Sequence, residues 1–349
     1  MRELLLPFSW IYGTGVTLRN WLFDIGVRKV HTVGVPVISV GNLSAGGVGK
    51  TPFVELLARR LTSEGHRIAI LSRGYKRKGT GTVVVSNGSV LCVEADLAGD
   101  EPAQLAEKLR GVVVVVDEQR VRGARYAIKQ FGVDLILLDD GFQHRSIHRD
   151  LDVVLLSAAE VLSAGHMLPA GNRREPFRSL RRADLIVLSR CTDEAHFRRL
   201  EERLRIRIDK PTMGVRVKVR AVRRATTRFS IDLNGVKGKR VVAFSGIGNP
   251  ASFEQTLSLL EVQIREHVKF ADHHRYRVED LRLIETAARR SGADYVVTTE
   301  KDLARLGGAS VKASDFLDRN PLYYIEIEEE IIAGDRHLTE ALRKLQTSS

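Results

Sequence analysis

From about residue 35 onward, short apolar runs alternate with stretches of helical periodicity. Residues 35–40, 67–72, 112–116, 133–138, 152–156 and 184–188 are nearly continuous in hydrophobicity, which predicts strands buried on both faces. The intervening segments 50–63, 101–109, 118–130 and 194–206 have the length and period of helices. That alternation predicts βαβ units and a mainly parallel sheet covered on both sides. Residues 81–93 place Ser86-Asn87-Gly88 between Val-rich runs, the pattern of a hairpin.

Near residue 212 the pattern changes. Val215, Val217, Val219 and Val222 alternate with Arg and Lys and are followed by Phe229, Ile231 and Leu233, which predicts two exposed strands. A strand at 240–245, helices near 251–260 and 279–290, and strands near 294–298 and 322–327 then form a second α/β pattern. The expected organisation is an N-terminal amphipathic helix over 1–30, a large parallel-sheet domain over 31–211, a two-stranded linker over 212–238 and a smaller α/β domain over 239–349. A length of 349 residues fits two such cores.

The N-terminal segment carries Leu4, Phe8, Ile11, Gly15, Leu18, Leu22 and Ile25 at spacings of four and three, a helix with a wide apolar stripe. Both tryptophans, Trp10 and Trp21, lie here, and Arg2, Arg19, Arg28 and Lys29 flank the stripe. Such a helix suits a membrane interface, or else packs on its own domain. No run reaches the 18 or so apolar residues that span a bilayer, and no signal-cleavage pattern is present, so a chain that is neither transmembrane nor secreted is expected.

Composition narrows the partners. A formal charge of +12 favours anionic ligands, but the basic residues are spread along the chain and aromatics are only 6%, which argues against a nucleic-acid stacking platform. Cys92 and Cys191 stand alone, without the spacing of a disulfide framework or zinc site, as suits a reducing compartment.

Chemistry concentrates at the ends of predicted strands. Ser44, Ala45, Gly46, Gly47, Val48, Gly49, Lys50 and Thr51 lie between a strand and a helix. In such a P-loop, backbone N–H groups approach phosphates, the lysine reaches the β and γ phosphates, and the hydroxyl ligates magnesium. Ser44 stands where the usual pattern begins with Gly. Asp139 and Asp140 end the apolar run from Val133 to Leu138, at the strand edge where open α/β sheets bind ligands. Asp139 is placed to hold magnesium or its water, as the acid of a Walker B strand does. Gly99-Asp100-Glu101-Pro102 precedes a helix, so Asp100 is either its cap or the carboxylate that takes a proton from an acceptor hydroxyl. Asp272-His273-His274 is either a solvated loop or an acid–histidine pair tuned for catalysis.

As an ordered set, these motifs resemble the tetraacyldisaccharide 4'-kinase family. The set includes Pro7 to Gly13, Gly41 to Pro52, Leu71 to Tyr75, Gly99 to Pro102, Asp139 to His144, Leu168 to Gly171, Arg174-Glu175-Pro176, Ser245 to Pro250, Asp272-His273-His274 and Thr299 to Asp302. The resemblance runs almost from end to end. It implies two α/β domains, a P-loop NTPase-type sheet and a smaller one, joined by a two-stranded linker with ATP between them. It implies ATP and Mg2+ as cofactors, and transfer of the γ-phosphate to the 4'-hydroxyl of a tetraacyldisaccharide 1-phosphate, giving lipid IVA in lipid A biosynthesis. The enzyme would be peripheral on the cytoplasmic face of a Gram-negative inner membrane, binding glycolipid and membrane surface but no nucleic acid, and a monomer is expected. The family's catalytic carboxylate matches Asp100 and its partner histidine matches His273, with His274 second, and their cooperation would require domain closure. Asp140 and Arg120 complete the expected catalytic residues, and Thr51, Asp139 and Glu175 the expected metal residues. Asn172-Arg173 departs from the Pro-Leu more often found before Arg-Glu-Pro.

Two other function classes compete. A nucleotide-driven switch of the partitioning or metal-delivery type shares the Gly-Gly-Val-Gly-Lys-Thr core, but Ala45 occupies the position of its signature lysine, and no Asn-Lys-x-Asp base-reading sequence occurs. A basic nucleic-acid module would need neither the P-loop nor the paired acids.

Overall fold

The computed structural model describes residues 3–75, 77–93, 95–163, 165–306, 316 and 321–347. Two compact units result, Met1–Arg216 with Glu329–Ser349, and Val217–Glu328.

In the larger unit, β1 (Val37–Asn42), β2 (Ile68–Ser72), β4 (Val113–Val116), β5 (Leu135–Asp139), β6 (Leu151–Ser157) and β7 (Leu185–Ser189) are parallel, and β3 (Val83–Asn87) joins β4 antiparallel. The start of β8 (Thr212–Arg224) continues the sheet beside β7. The strand order is β8-β7-β6-β1-β5-β2-β4-β3. The chain first builds outward from β1 on one side, returns with β5, and then builds the other side with β6 and β7, so the topological switch falls beside β1. The crevice at the carboxyl ends of its strands is therefore where a ligand belongs.

Burial explains the continuous apolar runs. Every residue of β1, β2, β4, β5 and β7 is buried. Helix Lys50–Ser63 covers one face, placing Phe53, Leu57 and Leu61 against Ile38, Ile70 and Leu137. Helix Arg120–Phe131 covers the opposite face with Ala124 and Ala127 against Leu71, Val115 and Ile136.

The smaller unit has the parallel order β11-β10-β12-β13, from β10 (Arg240–Ser245), β11 (Gln263–Lys269), β12 (Tyr295–Thr299) and β13 (Leu322–Ala333). Helices Pro250–Ser258 and Val278–Ser291 supply Phe253, Leu257, Leu281 and Ile284 to its cores.

The structure departs from the expected boundaries. Residues 212–224 form one strand that begins in the larger unit and ends in the smaller; β13 lies next to it in the strand order and the short β9 (Ser230–Ile231) pairs back on it. Residues from Glu329 onward, expected in the smaller domain, belong to the larger one. Leu338, Leu342 and Leu345 of helix Asp335–Thr347 join the core that contains Phe53, and Arg60 binds Asp335 at 2.6 Å.

The N-terminal helix, Leu6–Asp24, has an unusual orientation. Its buried residues are the polar Ser9 and Asn20. Leu4, Trp10 and Ile11 are more than 70% exposed, and Phe8, Leu18 and Trp21 are exposed as well. Ser9 Oγ donates to the Met167 carbonyl and accepts from the Ala170 amide, both at 3.0 Å. Polar contacts thus tether the helix and leave its apolar stripe uncovered. No helix among the described residues is long and apolar enough to cross a membrane.

Candidate active site

The loop after β1 runs close to its neighbours before opening toward solvent. A Cβ on Gly41 would stand 2.5 Å from that of Phe142, so this position accepts only glycine. Gly49 caps helix Lys50–Ser63 with φ +92°, in the left-handed region glycine favours. The loop therefore presents the amino end of a helix, with its orphan N–H groups and positive dipole end.

Asn42 organises the strand end beneath the loop. Its Nδ2 donates to the Ser44 carbonyl at 2.8 Å, and its Oδ1 accepts from Lys50 Nζ at 3.0 Å. Arg174 grips Asp140 with two hydrogen bonds of 2.8 and 2.7 Å and also reaches Asn42 Oδ1. Lys50 Nζ lies 3.4 Å from Asp140. Burial alone would raise the Asp140 carboxyl, but the Arg174 fork and Lys50 outweigh it and hold the group well below the usual carboxylate range. Asp140 is thus the ionised anchor of two cations.

Asp139, its chain neighbour, has the opposite character. It is buried at the end of β5, with Ser72 Oγ at 3.4 Å from Oδ2 and no partner on Oδ1 among the described residues. Burial, reinforced by Glu101 and Asp140 and opposed by Lys50 and Arg120, pushes its carboxyl up to about 7. Arg120 is 2% exposed, and its Nη1 donates to the Asp117 carbonyl at 2.5 Å. Its Nε and Nη2 are buried without a protein partner among the described residues, and burial lowers the guanidinium to about 10 against the pull of Asp139 and Asp140.

The orphaned Asp139 oxygen would suit a magnesium ion, and the orphaned Arg120 nitrogens would suit phosphate oxygens. No group of three His, Cys, Asp or Glu side chains forms a metal cage among the described residues. Mg2+ keeps several waters and takes one or two protein oxygens plus phosphates. Asp139, with its orphaned oxygen, fits that role.

Asp100 opens helix Asp100–Lys108, but Gly99 occupies the N-cap position with φ +89°. A Cβ on Gly99 would stand 3.2 Å from the Tyr75 carbonyl, so the Arg73-Gly74-Tyr75 turn packs directly on this helix start. The Glu101 charge is near enough to help raise the Asp139 carboxyl.

Glu175 is fully buried and bound to Asn20 at 2.7 Å and Arg182 at 3.0 Å, with Arg19 at 3.6 Å. Its carboxylate ties the N-terminal helix to the core. Tyr12 adds a hydrogen bond to the Arg174 carbonyl at 3.3 Å, so the Arg174-Glu175 pair faces the strand-end acids on one side and the helix on the other.

In the smaller unit, the remaining motifs converge on His273. Its backbone has φ +62°, its amide donates to the Gly246 carbonyl at 3.0 Å, and Arg305 Nη2 lies 3.1 Å from its Nδ1. Asp302 accepts from the Gly246 amide at 3.0 Å and from Thr299 Oγ1 at 2.7 Å. His274 is engaged elsewhere, 2.8 Å from Asp280 and stacked on Phe270.

Sequence reasoning gave no role to Arg174 or Asn42. Arg174 and Asn42 fell within motifs, but a fork onto Asp140 from 34 positions away has no local signature.

A glycine-rich loop at the switch point of a parallel sheet, a buried acid at the end of the adjoining strand and a lysine held by a second acid are the arrangement of a P-loop nucleotide-dependent phosphotransferase. The family model described as tetraacyldisaccharide-1-P 4'-kinase matches residues 1–347. A tetraacyldisaccharide 4'-kinase of Anaeromyxobacter sp. (strain K) is 40% identical over 95% of this chain and 87% of its own. One from Chlorobium limicola is 38% identical over 99% and 98%. The crystal structure of LpxK from Aquifex aeolicus in complex with ATP superposes with a TM-score of 0.77 at 34% identity, covering 99% of both chains. The chain belongs to the tetraacyldisaccharide-1-P 4'-kinase family.

Proposed function

We propose that this protein transfers the γ-phosphate of ATP to the 4'-hydroxyl of a tetraacyldisaccharide 1-phosphate, giving lipid IVA. The observation that carries the reading is the pairing of a free-edged Asp139 with a cation-clamped Asp140 under the P-loop, in a chain matched end to end by 4'-kinases.

Gly46 to Thr51 cradle the phosphates with backbone N–H groups, and Lys50, held by Asn42 and Asp140, meets the β and γ phosphates. Arg120 presents its unpartnered nitrogens to the transferring group. Thr51 and Asp139 would hold Mg2+, which would supply positive charge against that developing on the phosphate oxygens. Asp100 accepts the proton of the 4'-hydroxyl as its oxygen bonds to the γ-phosphorus and the bond from that phosphorus to ADP breaks, and His273, next to Arg305, is the partner histidine of the proposed reaction. Glu175, expected at the metal, supports the site instead through its neighbour Arg174 and its bonds to Asn20 and Arg182.

The N-terminal helix accounts for the lipid substrate. Its exposed Phe8, Trp10, Ile11, Leu18 and Trp21, flanked by Arg28 and Lys29, lie in the headgroup boundary of the inner membrane's cytoplasmic face, where the acyl chains of the substrate are anchored. The protein works there as a peripheral monomer.

Phosphate transfer from labelled ATP to purified tetraacyldisaccharide 1-phosphate tests the function. Hydrolysis of ATP that is indifferent to the glycolipid would overturn it in favour of a nucleotide-driven switch.

A further inference from the structure

Two side chains from distant strands press on the second half of the phosphate loop. Arg190, at the end of β7, donates from Nη2 to the Gly47 carbonyl at 2.5 Å. Glu329, on β13, places Oε1 only 2.7 Å from where a Cβ of Gly49 would stand. Glu329 is 6% exposed, and among the described residues neither carboxylate oxygen has a hydrogen-bond partner. A buried acid without a partner is costly, and Arg190 is itself held at φ +60°, a left-handed backbone uncommon outside glycine. Local strain of this kind persists where the surroundings demand it.

We propose that Arg190 and Glu329 are positioning residues for the phosphate loop, setting the direction of its amides for the nucleotide. The peptide plane supplies the reason. In a trans peptide the carbonyl of one residue and the N–H of the next point in opposite directions. Holding the Gly47 carbonyl outward on Arg190 therefore turns the Val48 N–H inward, toward the phosphates. Glu329 occupies the space beside Gly49, so the left-handed turn that starts the helix cannot relax in that direction. The Arg190 charge acts against the burial of Glu329, which couples the pair. Burial pushes the Glu329 carboxyl up to about 8, so at neutral pH it stands under the loop as an uncharged acid that does not repel phosphate. Glu329 is also the first residue after the smaller unit, and Arg216 binds its neighbour Glu330 at 2.6 Å, fixing the strand that carries it.

This inference rests on the reading that Gly46 to Thr51 bind the phosphates of ATP, and its test separates the two. Steady-state kinetics on the full chain, varying ATP and glycolipid independently, give the readout. Arg190→Met should raise the KM for ATP about tenfold, as expected for loss of one charge-assisted hydrogen bond. The KM for glycolipid should stay within about twofold, and kcat should change little, because loop amides bind ground and transition states alike. Arg190→Lys, which keeps a donor and a charge, should fall between. Glu329→Ala should raise the ATP KM several-fold, and Glu329→Gln should recover most of that loss. An ATP KM unchanged in Arg190→Met, or a rise in both KM values together with a lower melting temperature, overturns the positioning role. Lys50→Ala in the same assay reports on the phosphate site itself. If it is impaired while the Arg190 and Glu329 variants are normal, only the positioning inference fails; if it too is normal, the phosphate-site reading fails.

Discussion

Asp139 gives the sharpest physical test, because the acid suited to holding magnesium should weaken the metal-free protein. Burial pushes its carboxyl up to about 7 in the fold, against an ordinary value of 3.8. Between those two values the folded state binds a proton that the unfolded state has released, so stability falls as pH rises toward 7 and is level above it. The shift of about three units, at about 1.4 kcal/mol each, sets a ceiling of about 4 kcal/mol. About two of those units lie between pH 5 and 7.5. Relaxation and water entry reduce the effect, so about 1–3 kcal/mol should be observed over that interval. Asp139→Asn keeps the shape and the contact with Ser72 but cannot ionise. Urea unfolding of metal- and nucleotide-free protein should show the variant gaining on wild type by that amount from pH 5 to 7.5, with no further change to pH 9. Adding Mg2+ and ATP should reverse the order, stabilising wild type alone, since ligand binding to the folded state adds stability. Identical pH dependence in the two proteins would refute the account of Asp139 as a buried acid kept for a cation.

Other outcomes follow from the same geometry. Asp100→Ala should lower kcat by roughly 10²- to 10⁴-fold with little change in ATP affinity. His273→Ala should do so more mildly, and the double variant should lose less than the product of the two, whereas multiplicative losses would separate the residues. Replacing Trp10 and Ile11 together by Glu should reduce binding to anionic liposomes while leaving ATP affinity in solution intact, because both side chains are exposed and touch no core. Glu175→Ala should destabilise the larger unit by about 3–5 kcal/mol, since it strands Arg182 and Asn20 in a buried network. A change in Mg2+ dependence at unaltered stability would instead return Glu175 to the metal.

Much of this protein was legible along the chain because its chemistry is local. Strands buried on both faces need unbroken apolar runs, and β1, β2, β4, β5 and β7 show them. A phosphate loop needs its glycines, lysine and threonine within a few positions, and the metal acid needs only to end a strand. β11 escaped notice because a largely polar Gln-Ile-Arg-Glu-His-Val-Lys run at the end of the strand order carries no such signal. Periodicity showed that the N-terminal helix had an apolar stripe but not which way it faced; Ser9 and Asn20 decide that by bonding to residues more than 150 positions away. The same holds for Arg174 on Asp140, Arg190 on Gly47 and Glu329 beside Gly49. Period and spacing record how a segment meets its own neighbours, whereas the charge state of Asp139, the anchoring of Glu175 and the shape of the phosphate loop depend on side chains that only folding brings within a few ångströms, where burial and pairing set their energies.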